Sequence, residues 1–143
     1  MFPKLNLQYL ISYFGIFPFI FIIFNKYYFF KINFEVYQNF TIYYCLIILV
    51  FIGAINWNLQ EKINDFQAIY GFTPSLFAVF IIIINLYNLK FDIIILIIIL
   101  FFYIQLICDY FFLYSRKKNK NPLIFLRLPL TIIITTSLLI IKY

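Results

Sequence analysis

The stretch FDIIILIIILFFYIQLICD, from Phe91 to Asp109, decides the fold. Between Asp92 and Gln105 its only polar atom on a side chain is the Tyr103 hydroxyl. Wound into a helix, such a run is apolar on every side and leaves no face for water. Its length suits a bilayer, whose hydrocarbon core takes about 20 apolar residues to cross. Outward from it lie four more runs of the same kind, at 6–24, 36–57, 73–88 and 124–141. Polar residues gather in the gaps between them.

Those five runs use up nearly all of the 143 residues, which are 66% hydrophobic with a mean hydropathy of +1.01. The expected fold is all-α, an integral membrane bundle of about five transmembrane helices forming a single transmembrane domain over 1–143. No length is left for a separate catalytic domain. The net charge of +6 comes from 11 basic and 5 acidic residues. Because the basic residues sit in loops and at span ends, topology and lipid headgroups account for them, and nucleic acid is not an expected partner. With five spans, Lys4, Lys62, Arg116, Lys117, Lys118, Lys120 and Arg127 share the side of the N-terminus. Lys26, Lys31, Lys90 and Lys142 share the other, so the N-terminus is expected to face the cytoplasm or matrix.

The abundance of Phe, Tyr, Ile and Asn is what AT-rich codons favour, as in organelle and reduced bacterial genomes. Met1-Phe2-Pro3-Lys4 runs straight into the first span, without an Arg-rich amphipathic presequence or a small-residue cleavage site. For a mitochondrial protein, synthesis inside the organelle is then the simpler expectation.

Local signals divide the chain further. Pro18 inside the first run predicts a kink. Thr73 is read as an N-cap with Pro74 at the first helical position, after a polar loop over 60–67. Asn88-Leu89-Lys90 is a short turn that makes spans three and four antiparallel neighbours. Glu35 and Asp92 at helix starts complement the helix dipole. Gly53 permits close helix approach. Cys45 and Cys108 lie within spans, outside any Cys-x-x-Cys pattern, and read as small packing residues.

Histidine is absent. That removes imidazole haem ligation, His-based metal sites and His general bases. Two separated cysteines and five dispersed acids make a zinc site implausible. No G-x-S-x-G, phosphate loop or H-E-x-x-H occurs. No catalytic residue, cofactor or metal is therefore expected.

Asp109 is the acid of most interest, with Gln105 four residues earlier on the same helix face. Arg127, just inside span five on the same membrane side, is its natural partner. A structural pair or snorkelling is the leading reading, and a proton relay the alternative. Trp57 alone reads as an interfacial belt residue. Collectively, Asn56, Trp57, Tyr70, Gly71, Pro74, Ser75, Gln105, Asp109, Arg127 and Pro129 map to one membrane face, as a polar cap that reads as a docking surface or a shallow site. Arg116, Lys117, Lys118 and Lys120 form a solvated topology signal able to meet anionic phospholipid headgroups such as cardiolipin.

Five ordered motifs carry a resemblance. They are Gly15-Ile16-Phe17-Pro18-Phe19, Phe51-Ile52-Gly53-Ala54-Ile55-Asn56-Trp57, Tyr70-Gly71-Phe72-Thr73-Pro74-Ser75-Leu76, Gln105-Leu106-Ile107-Cys108-Asp109 and Leu126-Arg127-Leu128-Pro129-Leu130-Thr131. Together they resemble the transmembrane-protein-69-like family, small multi-span proteins of bacteria and mitochondria with an uncharacterised domain. That family usually ends span two with a Gly-x-x-His-Trp-Gly-like motif. Here Asn56 stands in place of the His and Asn58 in place of the Gly, so an imidazole role does not carry over, although an amide can keep a hydrogen bond. The resemblance implies fold and location rather than activity. Residues 43–54 also show a fainter likeness to the third helix of the sixth membrane subunit of respiratory complex I.

The expected function is a non-enzymatic integral membrane subunit of a larger inner-membrane assembly. The specific expectation is an accessory or structural subunit of a mitochondrial respiratory-chain complex, in the mitochondrial inner membrane and bound to other membrane subunits and phospholipids. A bacterial inner membrane is the alternative location. Alternative functions are a small transporter or channel, an assembly factor, a quinone-proximal anchor, or a core complex I membrane subunit resembling the sixth.

Overall fold

A computed structural model describes residues 7–29, 33–54, 65–114 and 123–143. All regular structure among them is helical. The α-helices are α1 (Leu7–Phe14), α2 (Phe17–Phe24), α3 (Phe34–Ala54), α4 (Asp65–Leu86), α5 (Phe91–Cys108) and α6 (Leu128–Lys142). Three wider π-helical segments, Asn25–Phe29, Asp109–Tyr114 and Leu123–Arg127, extend α2, extend α5 and lead into α6. Five helical stretches are long and apolar enough to cross a membrane: Leu10–Tyr28, Glu35–Ala54, Ala68–Leu86, Phe91–Phe111 and Leu123–Lys142. The all-α, five-span expectation is thus met.

Proline shapes the helices at three points, and at two of them differently from expectation. The kink expected at Pro18 is a break one turn earlier, at Gly15 and Ile16. There the bonding tightens to i−3, with Gly15 N–H donating to Ser12 at 3.3 Å and Ile16 N–H to Tyr13 at 3.0 Å. Pro18 then falls in the first turn of α2, where a missing N–H costs no helical bond. Pro74, expected at the first helical position with Thr73 as its cap, lies in the interior of α4. The helix starts at Asp65, whose carboxylate belongs to the first turn, so residues 65–67 of the expected loop are helical. Thr73 acts on the preceding turn instead, donating from Oγ1 to the Ile69 carbonyl at 2.9 Å. Membrane helices accept this arrangement because nearby hydroxyls and neighbouring helices satisfy the disturbed backbone. Pro129 sits in the first turn of α6.

Other ends follow local chemistry. Asn33 Oδ1 accepts from the Glu35 N–H at 3.1 Å, capping α3, and Glu35 occupies its first turn. Asp92 occupies the first turn of α5. Asn88 ends the α4 side of the turn in the left-handed region, at φ 57°, a conformation asparagine tolerates better than most residues.

The helices fall into two compact units, one of residues 33–98 and one of residues 1–32 with 99–143, so α5 contributes to both. In the 33–98 unit, α3 and α4 run antiparallel in close contact. A Cβ added to Gly53 would stand 2.7 Å from the Gly71 carbonyl oxygen and 2.8 Å from Pro74 Cγ. Only glycine allows that approach, as expected of Gly53. At the far end of the pair, Asn85 Nδ2 donates to Asn39 Oδ1 at 2.9 Å. Cys45 is free and fully buried beside Leu49 in the core of this unit, and Cys108 is free and half-buried.

In the other unit the first and last spans run parallel, and two contacts fix the direction. Near one end, the Tyr13 hydroxyl donates to the Phe125 carbonyl. Near the other, Lys26 Nζ donates to the carbonyls of Ile140 at 3.1 Å and Ile141 at 2.9 Å. The second contact places a cation on the negative end of the α6 dipole and satisfies carbonyls that the helix cannot. The first has a cause in the sequence. In an α-helix the Phe125 carbonyl would accept from residue 129, which is a proline without an N–H. Tyr13 gives that carbonyl a donor from outside the helix.

Candidate functional site

Ionisable side chains inside a bilayer are costly, and they mark either a helix-to-helix tie or a functional pathway. Asp109 and Arg127 are such a case. Asp109 is the first residue of the π-helical segment after α5, and Arg127 the last of the one before α6. The Arg127 Nε lies 3.3 Å from Asp109 Oδ2, with the two side chains 10% and 1% exposed. Both ends of this pair therefore occur where a π turn meets an α-helix, a junction that opens the backbone and often accompanies a functional residue.

Further buried polar side chains follow this pair along α5 and α6, and one contact joins the two helices. Gln105, one turn above Asp109, is 4% exposed. Thr131, one turn beyond Arg127, is 5% exposed. The antiparallel register that joins 109 to 127 sets these two at the same depth. Deeper still, the Tyr103 hydroxyl lies 3.2 Å from Thr135 Oγ1. Thr135 is buried and also donates back to the Thr131 carbonyl at 2.8 Å. Phe102, Ile134 and Leu138, on the same two helices, are buried and apolar.

The expected cap is distributed as follows. Asp109 and Arg127 come together in the unit of residues 1–32 and 99–143, which also holds the buried Gln105. Tyr70, Pro74 and Ser75 lie on α4 in the other unit, where Pro74 is buried against Gly53 while Tyr70 and Ser75 are half-buried. Asn56, Trp57, Arg116, Lys117, Lys118 and Lys120 lie outside the described residues. Among the described residues, no three metal-ligating side chains cluster.

Sequence reasoning did not find the Tyr103–Thr135 and Asn39–Asn85 pairs, or the partners of Lys26 and Tyr13. Pro129 was one available signal, because it removes the N–H that the Phe125 carbonyl would accept from in an α-helix. Which residue answers depends on tertiary neighbours. The unit of residues 33–98 also carries an open groove of about 600 Å³ lined by Tyr43, Leu46, Val50, Ala54, Ala78 and Ile82. In the other unit, Asn25 is 7% exposed. Its amide donates to the Phe21 carbonyl at 3.0 Å, and its Oδ1 has no hydrogen-bond partner among the described residues.

A family model described as a protein of unknown function (DUF3429) matches residues 6–142. The chain belongs to this family. The DUF3429 match covers all five membrane-spanning stretches and both sides of the Asp109–Arg127 pair. Neither the curated proteins nor the solved structures provide a match. The protein is therefore a helical DUF3429 protein with five spans compatible with an integral membrane location.

Proposed function

We propose that this protein is a non-enzymatic membrane subunit that works by packing against other membrane proteins. One observation carries the reading: the buried Asp109–Arg127 pair ties two spans together rather than presenting its charges outward. The same economy recurs where Asn85 meets Asn39 and where Lys26 meets the end of α6. Some threonine hydroxyls of the spans are turned onto their own helices, as Thr41 donates to the Tyr37 carbonyl and Thr136 to the Ile132 carbonyl. What remains outward on every span is large and apolar, including Phe21, Ile47, Leu76, Leu100 and Ile140. Such a molecule is suited to lie among lipid tails and neighbouring helices.

The more specific form of the proposal is an accessory subunit of a respiratory-chain complex in the mitochondrial inner membrane. Its support is the resemblance to the transmembrane-protein-69-like family and the residue bias of an AT-rich genome. A bacterial inner membrane is the alternative. The decisive experiment is native purification in mild detergent. An assembly well above the 17.4 kDa of the chain supports the reading. A free monomer overturns it.

A second reading, a small transporter, draws on the polar seam between α5 and α6. It predicts a solute flux in proteoliposomes that Asp109→Asn abolishes.

A further inference from the structure

We infer that the groove on the α3–α4 pair is a lipid site. Its occupant is a prenylquinone, with its tail in the groove and its head on the Asn39–Asn85 amides. All of these residues belong to the unit of residues 33–98. A subunit and a free protein could each carry such a site, so it does not rest on the packing role.

The groove supplies the place of the tail. It is open, holds about 600 Å³ and presents almost only carbon, with Tyr43 at one end and Ala54 at the other. Between them Leu46 and Ala78 are buried and form its floor. From Tyr43 to Ala54 is eleven residues, about 16 Å of helix.

The place of the head is one turn beyond. Asn39 precedes Tyr43 by four residues and Asn85 follows Ile82 by three, so both continue the stripes that line the groove. Asn85 Nδ2 donates to Asn39 Oδ1 at 2.9 Å. With that bond made, the Asn39 Nδ2 and the Asn85 Oδ1 have no other partner among the described residues. Both residues are half-buried, and neither of these two atoms is sealed from its surroundings. A donor and an acceptor thus stand side by side at one end of an apolar groove.

Depth and length then select the occupant. Asn39 lies four residues inside the span Glu35–Ala54, and Asn85 one residue inside Ala68–Leu86. A head at that level is about 2–6 Å below the span ends, where a charged group is costly. The head is therefore neutral. From Asn39 to Ala54 is fifteen residues, about 22 Å. One leaflet gives an acyl chain about 15 Å, half of a core of about 30 Å. A phospholipid anchored at this surface stops short of Ala54, whereas a long prenyl tail passes the midplane and fills the groove. Quinone oxygens accept from an N–H, and quinol hydroxyls also donate to a carbonyl, so one amide pair serves both forms. The Tyr43 ring, between head and tail, offers a flat face to the quinone ring.

The test uses the whole protein in phosphatidylcholine vesicles containing ubiquinone with a ten-isoprene tail. After extraction in mild detergent, the ubiquinone retained by the protein is measured over a range of ubiquinone contents, giving an apparent affinity. Val50→Phe fills the middle of the groove, and Val79→Phe adds the same bulk at an exposed position outside it. Val50→Phe should weaken binding at least about tenfold, and Val79→Phe should leave it unchanged. Asn39→Leu removes one hydrogen bond to the head and should weaken binding about threefold. A protein that retains no ubiquinone overturns the proposal, as does unaltered affinity in Val50→Phe or in Asn39→Leu. So does retention of phosphatidylcholine in place of ubiquinone, lost in Val50→Phe, since the groove then holds an acyl chain. Should Val50→Phe fold poorly, a photoreactive azido-ubiquinone reads the unaltered protein. Its label should fall on α3 near Asn39 and Tyr43 and be competed away by excess ubiquinone. Label spread evenly over the spans, or unaffected by the competitor, overturns the site.

Discussion

Two helix seams in this protein are built on opposite principles. Between α3 and α4 the contact is made by what is missing, since Gly53 has no side chain and the Gly71 carbonyl and Pro74 ring take its place. Between α5 and α6 the contact is made by what is present, a buried ion pair and a hydroxyl pair. The hydrophobic effect does not distinguish helix from lipid inside a bilayer, so association rests on close packing or on polar bonds. The chain uses each in a separate compact unit. Close packing is intolerant of volume, whereas polar bonding is intolerant of losing a partner.

That contrast can be broken from either side. The largest effect is expected at the polar seam. Asp109→Ala or Arg127→Ala leaves one buried charge uncompensated, which costs about 3–5 kcal/mol. Thermal or denaturant unfolding in detergent should register it as a large loss of stability. Next comes Gly53→Ala. Its methyl would meet a backbone carbonyl, which cannot swing aside, so α3 and α4 must part at a cost of about 1–3 kcal/mol. Ser at the same position should cost a similar amount, which would separate a volume effect from a polarity effect.

A smaller change is expected from Tyr103→Phe. It removes only the hydroxyl that meets Thr135, and interhelical hydrogen bonds in membranes average about 0.6 kcal/mol. Smallest, and opposite in sign, is Asn25→Leu. The Asn25 Oδ1 is buried without a hydrogen-bond partner among the described residues, and an orphaned polar group costs about 1–3 kcal/mol. Part of that should be recovered as a modest gain in unfolding temperature. A loss would mean that Asn25 meets a partner in the membrane-embedded protein.

Much of the fold was legible because apolar runs longer than a bilayer is thick have one stable solution, a spanning helix. The Asp109–Arg127 pair was legible for a related reason, since two opposite charges inside adjacent spans have little choice but each other. The start of α4 was misread because Thr73 and Pro74 form a good helix-start signal in water. In a membrane helix the same two residues are tolerated mid-course, with Thr73 bonding back to Ile69. The break at Gly15 and Ile16 was placed a turn late because proline marks where a helix can begin as readily as where it bends. Contacts such as Tyr13 to Phe125 and Lys26 to Ile140 join residues more than a hundred positions apart. Local pattern carries no record of such neighbours.

The central claim is that the intramembrane charges are a tie between two spans. A double-mutant cycle on Asp109→Leu and Arg127→Leu tests it most directly, read by unfolding of the purified protein. Each single change should be strongly destabilising, while the double change should be far milder than their sum, because removing both partners leaves no orphaned charge. Strictly additive losses would contradict the account, since they would mean that Asp109 and Arg127 act on different parts of the molecule.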